Sequence, residues 1–194
     1  MEPQHEQARR FFVAMGFQEI AELIYLQGPV PRHVKPPEIA QTMRWIEYSD
    51  ATHSLFAQAI QKTYVESLDC PMLSGLRDIE DVIVGHRATG QFEPHFWQVL
   101  ADGSRPLGVV LLSRIAKSDA MELVYLGLAP EARHRGLGIV LMQNAMHMIQ
   151  NDQRRRLSLA VDSRNNPALR LYYRFGMQQV ATRWAMIRDL RTGN

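Results

Sequence analysis

The run from Leu123 to Gln150, LVYLGLAPEARHRGLGIVLMQNAMHMIQ, decides how the chain folds. Leu123 to Ala129 is a continuous apolar stretch closed by Pro130, the pattern of a buried strand that stops at a turn. From Leu137 onward, Leu137, Val140, Leu141, Ala145, Met148 and Ile149 recur at spacings of three and four, which predicts a helix buried along one face. Between strand and helix lies RHRGLG, Arg133 to Gly138. Gly136 and Gly138 carry no Cβ, so a ligand can approach the main chain where the helix begins. The first turn of a helix has unpaired N–H groups and a partial positive charge, which together attract anions. Arg133 and Arg135 add fixed charge beside it. This order of elements predicts a seat for a diphosphate; the plainer alternative is a glycine pair that only starts the helix.

The kind of diphosphate follows from what is missing. A phosphate loop of the Walker type needs a lysine and then serine or threonine after its last glycine, and here Ile139 and Val140 follow. A dinucleotide fingerprint needs a third glycine, and position 141 is leucine. What remains, R-x-x-G-x-G after a strand ending in a proline turn, resembles the acyl-CoA pyrophosphate loop of the GCN5-related N-acetyltransferase family. A second motif, NNPALRLYYRFGM from Asn165 to Met177, resembles that family's N-x-x-A-x-x-L-Y-x-x-x-G-F segment. Asn165, Ala168, Leu171, Tyr172 and Gly176 fall on the pattern, and Met177 replaces its phenylalanine.

The resemblance implies an α/β (α+β) fold: a mixed β-sheet flanked by helices, whose two central strands splay apart to admit acyl-CoA. The main chain of Leu126, Gly127 and Leu128 would then pair with the pantetheine arm as an added strand does. The amides of Arg133, His134, Arg135, Gly136, Leu137, Gly138 and Ile139 would hold the pyrophosphate. Asn165 matches a cofactor-contacting asparagine, although an asparagine there also suits a simple helix cap. Acetyl-CoA is the implied cosubstrate. The implied reaction is acetyl transfer to a primary amine, small molecule or peptide, by direct attack in a ternary complex. The competing reading is a catalytically silent acyl-CoA sensor or a partner-docking subunit.

Such a transfer poses two proton problems. An alkylammonium with a pKa of about 10.4 must lose a proton before it attacks, and the departing thiolate gains from a proton donor. Tyr172 stands where the family's tyrosine protonates the thiolate. Tyr173 points about 100° away around the helix. Glu122, thirteen positions before Arg135, resembles the strand glutamate that serves as base in the histone-acetyltransferase branch. By strict alternation it would share a sheet face with Val124 and Leu126, apolar neighbours that raise a carboxyl pKa. His95, Asp162 or bulk water are the alternatives for that role. A main-chain N–H near Leu126 or Leu128 would serve the oxyanion. His86, His95, Trp45 and Trp97 come from segments that border the acceptor pocket in the family, and packing accounts for each equally well.

Composition narrows the field further. The 194 residues are 46% hydrophobic and 22% charged, with a net charge of +2. That charge is too small to argue for a nucleic-acid surface. Cys70 is the lone cysteine, so neither an intrachain disulfide nor a cysteine metal site is expected, and no histidine pair has ligand spacing on one element. No metal, nucleic-acid or membrane partner is therefore expected, and a cytoplasmic location is the default.

Three segments are expected along the chain. Residues 42–190 carry the acetyltransferase-like order of strand, helices, three strands, helix, strand, helix, strand. Residues 28–41 are a proline-rich linker. Residues 1–27 read as an appended helix and strand that repeat the chain's own end. Ala8 to Ile24 lies over Ala168 to Trp184 without a gap, pairing Ala8 with Ala168, Arg10 with Arg170, Gly16 with Gly176 and Gln18 with Gln178. Read so, the appendage is the tail of a second, truncated unit, inert because Phe12 replaces Tyr172. Its strand needs its open edge covered, either by the main domain or by a second chain in a homodimer.

Overall fold

A computed structural model describes residues 6–73 and 75–188. In chain order the elements are α1 (Glu6–Ala14), β1 (Gln18–Pro29), β2 (Met43–Glu47), α2 (His53–Tyr64), α3 (Ile79–Arg87), β3 (Trp97–Asp102), β4 (Arg105–Arg114), β5 (Ala120–Leu128), α4 (Leu137–Asn151), β6 (Arg156–Asp162), α5 (Asn166–Arg174) and β7 (Gln178–Ile187). Local chemistry sets several of these boundaries. Asp78 starts α3 by accepting the Glu80 amide at 2.8 Å. Gly176, at φ 76°, ends α5 in the left-handed conformation that glycine adopts without strain.

The strands form one sheet in the order β2-β3-β4-β5-β6-β1-β7. Its neighbours are antiparallel except β5 and β6. Helices α4 and α5 cover one face, burying Met142, Ala145, Ile149, Leu169 and Tyr172 against Leu112, Met121, Leu157 and Leu159. Helices α2 and α3 cover the other, where Phe56, Ile60 and Ile83 meet Trp97, Val99, Val109 and Leu111. This is the mixed, helix-flanked sheet expected from the motifs.

The sheet is forked. The parallel register of β5 and β6 consists of Ala120↔Arg156, Met121↔Leu157 and Glu122↔Ser158, and there it stops. Beyond that point β5 runs on to Leu128 and β6 to Asp162 without pairing to each other. A bulge shapes the same strand. Leu111 opposes Tyr125 while the next residue, Leu112, opposes Leu123, so Val124 is the extra residue. This corrects the alternation expected from sequence. Val124 and Tyr125 both pack on the α2 face, and Leu126 is returned to the α4 face, away from Glu122.

The N-terminal strand also differs from expectation. β1 is inserted between β6 and β7, pairing from Leu23↔Asp162 to Pro29↔Arg156 on one side and from Gln18↔Ile187 to Gln27↔Gln178 on the other. From Leu23 to Gln27 both its edges are therefore occupied within the chain, and that stretch has none to offer a second chain. It also extends through Gly28 and Pro29, residues that the sequence places in the linker. Pro29 is tolerated because it is the last residue of the strand.

Gly28 shows how closely β1 is seated. A Cβ there would lie 2.9 Å from Met177 Sδ, 3.0 Å from Met177 Cα and 3.1 Å from the Gly176 carbonyl, and the last two are backbone atoms. Gly28→Ala should therefore cost about 1–3 kcal/mol in denaturant titration. Gly85→Ala, in α3 with nothing within 4 Å of the new methyl, should cost nothing or stabilise.

Candidate active site

The glycine loop behaves as its composition demands. Between β5 and α4, His134 and Gly136 have positive φ of 58° and 76°. Alternating left-handed residues turn successive N–H groups toward one side, forming a concave nest for an anion. The amides of His134, Arg135, Gly136, Leu137 and Gly138 have no acceptor among the described residues. His134, Arg135 and Gly136 are exposed, so these donors face solvent at the start of a 15-residue helix. The two outer members of the expected set differ. The Arg133 amide donates to the Pro130 carbonyl at 3.2 Å and the Ile139 amide to the Gly136 carbonyl at 3.0 Å.

Arg133 is corrected in a second respect. Its guanidinium does not face the nest but caps the end of α2. It donates to the carbonyls of Thr63 at 3.1 Å, Val65 at 2.6 Å and Glu66 at 3.2 Å, and to that of Leu128 at 3.2 Å. The terminal carbonyls of a helix lack intrahelical donors, and a planar fork of N–H groups satisfies several at once. A Lys62–Glu131 ion pair ties the same loop to the same helix. Arg135 is left as the loop arginine without a partner among the described residues.

Along the fork, β5 presents an edge. The Ala129 amide donates to Leu107 of β4 at 2.9 Å. Alternation along an antiparallel pair then turns the main chain of Gly127 to β4 as well, and that of Leu126 and Leu128 to the open side. Gly127 is thus set apart from its two neighbours. A Cβ on it would meet Thr63 Cβ, Thr63 Oγ1 and Tyr125 Oη at 2.8 Å, so glycine is required there for packing.

Tyr172 projects from α5 into this region and is 6% exposed, yet its hydroxyl bonds to no described residue. Burial, and after it the Asp69 carboxylate, hold its phenol well above the ordinary tyrosine range, so the proton stays in place. The neighbouring Tyr125 is committed elsewhere. Thr63 Oγ1 gives its proton to the Ile60 carbonyl at 2.7 Å, so Tyr125 is the donor in their 2.8 Å hydrogen bond. His86 stacks on Tyr125 with centroids 5.5 Å apart, and burial, then Arg77, lowers its pKa to about 4. It is neutral at physiological pH.

Glu122 stands at the crotch, in the last pair before the strands part. Its half-buried carboxylate has no hydrogen-bond or ionic partner among the described residues, and burial alone raises its pKa. The alternatives for the base are placed differently. Asp162 is buried and, against the cost of that burial, the Arg164 guanidinium at 2.7 Å holds it below the usual carboxylate range. His95 lines a separate cavity of about 500 Å³ with Trp45, Phe96, Asn144 and Asp152, toward the far end of α4. Trp97 is a core residue, 0% exposed.

Two further assignments come from the coordinates. The Asn165 side chain accepts the Ala168 amide at 3.3 Å, the helix-cap role that its sequence position equally allowed. Asp69, which no motif marked, accepts the Asp162 amide at 3.0 Å while Asp162 accepts the Cys70 amide at 3.2 Å. This reciprocal latch holds the loop after α2 against the end of β6. Only the pairing of residues 93 apart reveals it. Among the described residues no cluster of His, Cys, Asp and Glu could hold a metal, and no helix is long and apolar enough to cross a membrane.

Comparison with known proteins bears on the fold and the family. A putative [ribosomal protein bS18]-alanine N-acetyltransferase of Bacillus subtilis is 38% identical over 60 residues, 31% of this chain and 40% of that protein. A GCN5-related N-acetyltransferase from Sphaerobacter thermophilus superposes with a TM-score of 0.70 at 16% identity, over 97% of this chain and 59% of its own. The ribosomal-protein-S18-alanine N-acetyltransferase of Escherichia coli superposes with a TM-score of 0.54 at 15% identity, over 69% of this chain and 76% of its own. The chain thus spans well under two thirds of the first two proteins. Residues 44–177 match the model of the Acetyltransferase (GNAT) family, a stretch running from β2 through the Tyr172 helix, and the chain belongs to that family.

Proposed function

We propose that this chain is an acetyl-CoA-dependent N-acetyltransferase that delivers an acetyl group to a primary amine by direct attack, with both substrates bound. One observation carries the reading. Five amides without an acceptor among the described residues, an unpaired strand edge and the hydroxyl of Tyr172, which bonds to no described residue, lie along a single fork. One extended ligand with a diphosphate at one end would pair with all three at once. From Leu128 back to Glu122 the strand covers roughly 20 Å, enough for an arm reaching from nest to crotch.

Acetyl-CoA, when bound, supplies the thioester; the remaining roles belong to the chain. The amides of His134 to Gly138 hold the two phosphates, with Arg135 adding charge. The open-side main chain of Leu126 and Leu128 aligns the arm. Glu122 takes the proton from the incoming ammonium, directly or through water. Tyr172, kept protonated by its burial, gives its proton to the sulfur as the C–S bond breaks. The favoured acceptor class is a peptide α-amine. Its pKa of about 7.7–8.0 lies well below the value of about 10.4 for lysine, so a weak base such as a desolvated carboxylate suffices. The named activities of the Bacillus and Escherichia relatives support the same class.

The direct test is release of free CoA from acetyl-CoA across a panel of peptides and small amines; tight binding with no CoA released would mark a silent binder instead. Tyr172→Phe should lower turnover about 10²-fold or more with acetyl-CoA affinity unchanged, and full activity would remove Tyr172 from the reaction. For Glu122 the sign is fixed by burial. Its raised pKa means the active, ionised form is lost at a higher pH than for an ordinary carboxylate. The wild-type kcat/KM should therefore fall on the acid side, and Glu122→Gln should abolish that limb while lowering the plateau. The two arginines should separate. Arg133→Ala should cost about 1–3 kcal/mol of stability through its lost carbonyl bonds, whereas Arg135→Ala should weaken acetyl-CoA binding several-fold with the melting temperature unchanged.

A further inference from the structure

The proline-rich segment between β1 and β2 is fastened to α4. Gln150 accepts the Val34 amide at 2.7 Å, His147 donates to the Val34 carbonyl at 2.9 Å and Gln143 donates to the Lys35 carbonyl at 3.2 Å. Pro36 and Pro37 then stiffen the chain that follows. These three anchors form one row along the helix, and the adjacent row is Asn144, Met148 and Asn151. That second row lines the cavity of about 500 Å³ already noted beside His95, which the fastened segment closes with Pro36, Pro37 and Ile39. The cavity lies over β2 and β3, and β4 stands between those strands and the fork.

A polar line crosses this cavity from floor to mouth. Asn144, at its floor, is 5% exposed, and the buried polar side chains elsewhere among the described residues are those of Thr63, Ser113 and Asp162. Those three are spent on bonds within the protein. Asn144 makes a single bond, from Nδ2 to Gln98 Oε1 at 2.7 Å. One bond between two carboxamides leaves a carbonyl and an amino group unspent, available to whatever enters the cavity that both residues line. Gln98 in turn stands opposite Glu47 in the β2–β3 register, where side chains are about 5 Å apart. Glu47 is exposed at the mouth, and its carboxylate has no partner among the described residues. The charge is one-sided. No lysine or arginine lines the cavity, and the second carboxylate there, Asp152, is spent on Arg114 and Arg154. His147 is also fully used, since its Nδ1–H goes to Val34 and its Nε2 accepts from Asn151 at 3.3 Å.

We propose that this cavity is a second ligand site, apart from the fork, for a hydroxylated organic amine. A hydroxyl both donates and accepts, so it meets the unspent carbonyl and the unspent amino group of the Asn144–Gln98 pair together. The apolar body of the ligand lies among Trp45, Ile39 and Met148, and its ammonium pairs with Glu47 at the mouth. An anion finds no fixed positive charge on these walls, and a purely apolar molecule leaves the amide pair and Glu47 unused. Apolar walls with a few convergent polar groups are the usual make-up of a small-molecule site. The bonds from α4 to Val34 and Lys35 hold the outer wall in place before anything binds.

Tyramine is the probe. Its controls are phenethylamine, which lacks the hydroxyl, and phloretate, which carries a carboxylate in place of the ammonium. Calorimetric titration of the full chain should show tyramine binding with a Kd of about 1 mM or tighter, and each control binding at least tenfold more weakly. The tyramine affinity should be the same with coenzyme A present. In NMR spectra the shifts should centre on the side-chain amides of Asn144 and Gln98 and on the indole of Trp45. Glu47→Gln should weaken tyramine binding at least tenfold with the melting temperature unchanged, because the Glu47 carboxylate is exposed and unpaired among the described residues. Absence of tyramine binding would overturn the proposal, as would phloretate or phenethylamine binding equally well. So would displacement by coenzyme A, shifts confined to the fork, or a Glu47→Gln chain that binds tyramine as the parent does.

Discussion

Everything at the site depends on the point where β5 and β6 stop pairing. A parallel pair that ends after Glu122↔Ser158 leaves two strands side by side that no longer bond to each other. Main-chain groups inside a protein are costly unless something pairs with them. The fork persists because its walls are held from outside. On one wall Tyr172 and Leu169 of α5 pack beneath β6. On the other, β5 is tied to β4 around a bulge at Val124, and its end is tied to α2 through Arg133. The opening is thus a property of the surrounding packing, not of the strands themselves.

Arg133 illustrates how a family-like motif can carry structure as well as chemistry. Its guanidinium satisfies carbonyls at the end of α2 and one on β5, joining the two elements that flank the nest. The nest keeps its shape because the loop is held by that side chain and by the Lys62–Glu131 pair, so its free amides are positioned before any ligand arrives. Donors fixed in this way need not reorganise to meet a charge, an advantage that main-chain amides have over mobile side chains. Asp69 and Asp162 do similar service on the opposite side, each accepting the other segment's amide to hold a long loop near the mouth.

The parts legible in the sequence are those governed by neighbours a few residues apart. The R-x-x-G-x-G loop, the helix after it and the Asn165 to Met177 segment were readable because helix periodicity, glycine conformations and caps are local physics. The element order followed for the same reason, with boundaries displaced by a few residues. Three things were not readable. The bulge at Val124 moved Leu126 to the other face, and no residue type announces a one-residue slip. Arg133 found carbonyls nearly seventy positions away, so its charge alone suggested the wrong partner. The insertion of β1 between β6 and β7 rests on pairing between opposite ends of the chain.

By itself, then, the sequence determined which elements form, where the glycine loop lies between strand and helix and which helix carries Tyr172, because these follow from local conformational preference and motif spacing. Only the tertiary structure decided which amides remain free, which arginine is spent on structure and where the N-terminal strand goes. Those outcomes depend on competition among distant donors and acceptors for the same partners. The competition is settled only when the whole sheet has assembled.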